Sequence, residues 1–85
     1  MLIVTELEYG YNAVMVELRS YLMGDESRFE EVVSVIRMLP KEVRSELLRI
    51  AESNLKTWYN MGILDDKGYE EAKGRLNKLV LSLES

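Results

Sequence analysis

The 85-residue chain contains no cysteine, no histidine and no glutamine, and only one proline, one tryptophan and one phenylalanine. Without cysteine there is no disulfide framework, no thiolate nucleophile and no zinc knuckle. Without histidine the commonest general base and metal ligand is missing. Aspartate and glutamate are left as the only ligands suited to Mg²⁺ or Ca²⁺. No apolar run approaches the about 20 residues of a membrane span. Met1–Val4 is apolar, but no basic region precedes it and no long apolar stretch follows, so it does not read as a signal peptide. The expectation is a cytoplasmic protein that does not enter the membrane.

What remains is the composition of one small folded domain, 1–85, with 47% hydrophobic residues. Eleven Lys and Arg oppose fifteen Asp and Glu, a net charge of −4. The imbalance is local: residues 1–40 hold three bases and seven acids, whereas 41–85 hold eight of each. A chain of this charge is poorly suited to a sequence-independent grip on nucleic acid. Glutamate far outnumbers aspartate and amides are few, a balance that hyperthermophiles favour.

Hydrophobic periodicity places four helices, at about 6–23, 28–39, 40–61 and 66–83. Thr5 with Glu8 has capping-box spacing, and Val4 with Tyr9 has the spacing of a hydrophobic staple. Gly10 sits inside this first helix. Gly24 is its stop signal. Ser27 with Glu30 is a second capping box, and Asp25 is a rival cap. Pro40 ends the second helix and suits the first turn of the third, so the two form either a sharp corner or one kinked helix. Gly62 stops the third helix, and Asp65 or Asp66 caps the fourth. The expected fold is all-α, a compact three- or four-helix bundle with a C-terminal antiparallel hairpin.

At 100° per residue, the second helix turns Phe29, Val32, Val33, Ile36 and Leu39 inward. The third has a broad apolar face from Val43 through Leu47, Ala51 and Leu55 to Trp58, Tyr59 and Met61. The fourth has one stripe: Tyr69, Ala72, Leu76, Leu79, Val80 and Leu83. Trp58 falls on the core side.

The first helix has two apolar faces. Leu7, Tyr11, Val14, Leu18, Tyr21 and Leu22 form one; Tyr9, Ala13, Val16 and Met23 form the other. A helix apolar on two sides must be covered on two sides. Either it is central in the monomer or its second face meets another chain. Tyr and Met, enriched at interfaces, are frequent on this helix. Tyr9, Ala13, Val16 and Met23 are therefore the candidate protein interface.

Other constellations are weaker. Asp25-Glu26, Glu30-Glu31, Asp65-Asp66 and Glu70-Glu71 are the carboxylate pairs available for acid–base work or a cation. Neighbours on a helix diverge by about 100°, however, and all four pairs suit helix N-termini. No glycine-rich phosphate loop is present. Arg37, Lys41 and Arg44 cluster around Pro40 and could meet a phosphate or an acidic partner, or simply form a solvated corner. A helix-turn-helix reading would make the fourth helix the recognition helix, led by Lys67 and Tyr69. Asp66, Glu70 and Glu71 would then face phosphates. No catalytic residue, cofactor or metal ligand is assigned, and the chain does not read as an enzyme.

The segment Asn54–Leu79 resembles the helical hairpin of the short C-terminal domain family. The likeness rests on Leu55, the Gly62-Ile63-Leu64-Asp65 turn, Tyr69, Lys73 and Leu76, while Gly68 and Gly74 stand where that family has helix formers. It implies a packing or oligomerising module in which both turn aliphatics dock. The whole chain, short, acidic and helical with a two-faced Tyr/Met-bearing first helix, is similar to the small accessory subunits of crenarchaeal family-B DNA polymerase holoenzymes. That likeness implies a non-catalytic subunit bound to a heterologous protein. A self-associating homodimer is the alternative, and direct nucleic-acid binding is the least expected.

Overall fold

The computed structural model describes the backbone of residues 4–84 and the side chains of residues 12–84. Among these residues there are four α-helices and no strand: α1 (Val4–Leu22), α2 (Phe29–Arg37), α3 (Lys41–Asn60) and α4 (Asp66–Glu84). A single 3₁₀ turn, Glu26–Arg28, precedes α2. The fold is the expected all-α bundle. α3 and α4 form the C-terminal hairpin, and α1 and α2 pack together and onto α4.

Local chemistry explains where most helices stop. Gly24 (φ 128°) and Gly62 (φ 81°) both adopt positive φ, which a Cβ would disfavour. Each closes a helix with the same pair of backbone bonds. After α1, the Asp25 amide donates to the Ser20 carbonyl and the Gly24 amide to that of Tyr21, both at 3.0 Å. After α3, Ile63 donates to Trp58 at 2.9 Å and Gly62 to Tyr59 at 3.1 Å. These are Schellman caps, which satisfy carbonyls that the helix itself cannot.

The starts are less uniform. Asp65 caps α4 through its Oδ1, which accepts the Gly68 amide at 2.7 Å. Asp66 instead accepts the Tyr59 hydroxyl. Pro40 has extended backbone (φ −57°, ψ 152°), so α2 and α3 are separate helices meeting at a corner. Pro40 is the N-cap of α3, not its first helical residue, and its carbonyl accepts the first helical bond from the Arg44 amide at 2.9 Å.

One expected cap does not form, and another falls outside the described side chains. Thr5 lies inside α1, which begins at Val4. The side chains of the Thr5–Glu8 box and of the Val4–Tyr9 staple lie outside the described residues, as do Met1–Ile3. The Ser27–Glu30 box is replaced by the 3₁₀ turn, where the Ser27 hydroxyl donates to Asp25 and α2 has no side-chain cap. Asp25 also accepts from Arg28 Nε at 3.2 Å. The Ser27 hydroxyl, and then Arg28, hold the Asp25 carboxyl below its usual range.

One face of each helix supplies the core: Val14, Leu18, Tyr21 and Leu22 from α1; Val32, Val33 and Ile36 from α2; Leu47, Ala51 and Leu55 from α3; Ala72, Leu76 and Leu79 from α4. Leu48, Trp58, Tyr69 and Leu83 pack against it half-buried. The α3 face was expected to be wider. Tyr59 is exposed and stacks on Tyr69 of α4, and Met61 is 68% exposed.

Two reciprocal bonds lock α1 to α4. The fully buried Tyr21 donates its hydroxyl to the Arg75 carbonyl at 3.1 Å. Arg75 Nη1 donates back to the Leu22 carbonyl at 3.0 Å. Leu22 is the last residue of α1, so the guanidinium also faces the negative end of that helix. Arg75 Nε is buried without a hydrogen bond among the described residues, with a Glu26 carboxylate oxygen 3.9 Å away. Tyr21 lies against Phe29 (5.5 Å between ring centroids), and Lys78 sits 4.5 Å over the Phe29 ring. Burial, and then the Glu26 charge, raise the Tyr21 phenol above its usual value of 10.0.

A phenol held more tightly in the folded state supports folding fully below its unfolded value. That contribution is lost as pH climbs past about 10 toward the folded value. Stability measured in urea should therefore fall in the alkaline range, and Tyr21→Phe should flatten the fall. The control is Tyr59→Phe, because the Asp66 bond raises the exposed Tyr59 phenol in the same sense. At neutral pH Tyr21→Phe should cost about 1 kcal/mol, and Leu79→Ala about 2–5 kcal/mol. An alkaline profile identical in Tyr21→Phe and wild type would remove the clasp from this account.

Candidate functional site

α1 is buried on one side and open on the other. Val14, Leu18, Tyr21 and Leu22 face the core, while Ala13, Val16 and Met23 face solvent. Val16 is 58% exposed and Met23 44%. Position 20, between them on this face, carries half-buried Ser20. Of the two readings open for this helix, the described residues match a second face left uncovered in the monomer. The Tyr9 side chain, the fourth residue of the candidate interface, lies outside the described residues, as do those of Leu7 and Tyr11.

Both edges of the face make contacts to neighbouring elements. Arg19 lies on one edge, with its guanidinium 5.8 Å from the Trp58 ring centroid, which ties α1 to the end of α3. On the other edge Glu17 accepts Arg28 Nη1 at 2.6 Å. Arg28 also reaches Asp25, and its guanidinium is held charged first by the Glu17 bond. Beyond Met23 the charges are paired: Asp25 with Arg28 at 3.2 Å, and Glu26 3.9 Å from Arg75. The result is an apolar strip bordered by ion pairs.

The basic cluster around Pro40 has a different immediate role. Arg37 Nη2 donates to the Ser82 carbonyl at 2.8 Å, near the C-terminus of α4. Arg44 Nε donates to the Leu39 carbonyl at 3.1 Å, in the corner after α2. Both guanidiniums thus satisfy carbonyls that the helices leave open. Lys41 is exposed at the start of α3. All three surround the end of α4, because Lys41 and Arg44 also line a cavity with Leu83 and Glu84.

The carboxylate pairs are separated in their duties. Asp65 caps α4 and Asp66 binds Tyr59. Glu70 pairs with Lys73 at 2.9 Å, and Asp25 organises the 3₁₀ turn. Lys73 is also 4.8 Å from the Tyr69 ring, which stacks on Tyr59 at 4.6 Å. This lattice braces the hairpin. Only one of its two turn aliphatics docks: Leu64 is half-buried, whereas Ile63 is 53% exposed.

One feature lies beyond any single-helix pattern. An open groove runs between α3 and α4, with a cavity of about 640 Å³ adjoining a second of about 410 Å³. Leu48 and Val80 line both. It forms where two helices meet, so no one helical projection displays it.

No described helix is long and apolar enough to cross a membrane. No protein-family model matches the chain, and no curated protein or solved structure matches it significantly.

The outward face of α1 adds little to the fold of the isolated chain. Val16→Lys and Met23→Lys should each shift stability by no more than about 0.5 kcal/mol. Leu18→Lys, two residues from Val16 but on the core side, should unfold the protein. Thermal melts of the three variants test this, and a large loss from Val16→Lys would mean that the face is covered within the monomer.

Proposed function

We propose that the protein is a non-catalytic helical interaction module, an accessory subunit that docks on a larger protein through the outward face of α1. The observation that carries this reading is the exposure of Val16 and Met23 on a helix whose other side is core. An exposed apolar strip with a charged surround is what protein interfaces use, because desolvating it yields most of the binding energy while charge sets the orientation. Ala13 lies exposed on the same helical face, which the sequence projection extends to position 9. The acidic excess of residues 1–40 favours a partner that presents Lys or Arg. The likeness in length, charge and helical character to polymerase accessory subunits makes a DNA polymerase holoenzyme the first assembly to try. The chemistry would belong to the partner.

A homodimer joined through the same strip is the second reading, favoured by the strip's apolar character. A photo-crosslinking residue at position 16 separates the two. Under the subunit reading it captures a heterologous protein from the source lysate, including the polymerase if that is the assembly, and Met23→Lys abolishes capture. A dimer crosslink in purified protein would replace the subunit reading with the second. No crosslink to anything would sink both.

A further inference from the structure

We infer that the groove between α3 and α4 is a docking site for an acidic amphipathic helix of a partner protein. This surface is separate from the α1 face and does not depend on its assignment. The floor is aliphatic: Leu48 and Leu55 from α3, Leu76 and Val80 from α4. The two cavities share Ser45, Leu48 and Val80, so they form one continuous trough. From Lys41 to Lys56 the trough follows α3 for about 22 Å, the length of roughly 15 helical residues. Two antiparallel helices with an apolar cleft between them are the usual receptor for a third helix laid along it.

Charge selects the occupant. Lys41, Arg44, Arg49, Lys56 and Lys73 line the trough, against Glu52 and Glu84. The sign is opposite to that of the whole chain, which is −4. Lys41 and Lys56 make no ion pair among the described residues. Lys73 and Arg49 are held by Glu70 and Glu46 on their own helices. The Lys73 pair is exposed and weak, and its ammonium keeps further donors for a partner's carboxylate. Carboxylates flanking an apolar stripe would meet this rim while the stripe meets the floor. Nucleic acid fits less well. The trough offers it aliphatic side chains in place of a stacking platform, and its one aromatic, Tyr69, is already stacked on Tyr59.

The test uses three labelled probes and fluorescence anisotropy on the full chain. The first is a 15-residue helical peptide with leucine at every third or fourth position and flanking glutamates. The second replaces those glutamates with lysines, and the third is single-stranded oligothymidine. The glutamate peptide should bind, and Lys56→Glu with Lys73→Glu should weaken it by about tenfold or more. The same double variant should gain affinity for the lysine peptide. Val16→Lys should leave both results unchanged, which keeps this surface distinct from the α1 face. Circular dichroism of the double variant shows that it remains folded, since both lysines are exposed. Equal binding of the two peptides, indifference to the charge reversal, or tighter binding of oligothymidine would overturn the assignment. So would light scattering that showed a second copy of the chain filling the groove.

Discussion

The exchange between Tyr21 and Arg75 is the constraint on which the arrangement of the helices depends. Apolar contacts hold α1 against the rest of the chain, but such contacts are non-directional and tolerate rotation and sliding. The phenol reaches one carbonyl on α4, and the α4 guanidinium reaches one carbonyl at the end of α1. Two bonds in opposite directions fix both the rotation of α1 and its position along α4. The Tyr21 ring also touches Phe29 at the start of α2, so one side chain relates three helices. Because α1 cannot rotate, Val14 and Leu18 stay inside and Val16 stays outside. The exposed strip is thus a consequence of buried geometry.

A small domain has little core to spare, and its net stability is a narrow margin between large opposing terms. Here exposed apolar side chains include Val16 and Met23 along α1, Met38 in the corner after α2, Met61 and Ile63 at the hairpin end and Leu81 on α4. Each would add stability if buried. Ile63 shows why it is not: the Schellman cap at Gly62 fixes the turn so that Leu64 reaches the core and its neighbour points away. On α1 no such local constraint applies. Lysine or glutamate at positions 16 and 23 would suit a solvated helix face at least as well as valine and methionine do. Their apolar character is thus not required by the packing of the described residues.

Much of this architecture was legible in the sequence, for reasons that are local. The helix stops at Gly24 and Gly62 and the cap at Asp65 depend on residues within one turn of chain, and the structure places them as the residue types imply. The two faces of α1 follow from a 100° projection alone. What could not be read depends on neighbours far along the chain. The Ser27–Glu30 box competes with a turn in which Asp25 binds Ser27 and Arg28, and Arg28 is in turn drawn toward Glu17 on α1. Arg37 and Arg44 read as free bases because their carbonyl partners, at Ser82 and Leu39, are set by how the helices meet. The stacking of Tyr59 on Tyr69 and the α3–α4 groove both depend on the pairing of two helices.

The charge distribution is reshaped by folding. The chain divides near Pro40 into an acidic half and a balanced half. In the folded state the balanced half is not neutral everywhere, because bases from α3 and α4 converge on the groove while Asp65 and Asp66 are drawn to the turn. Folding therefore gathers bases of the balanced half into a groove whose sign is opposite to that of the whole chain. A local field opposite to the overall charge orients an approaching partner before contact and disfavours the wrong face.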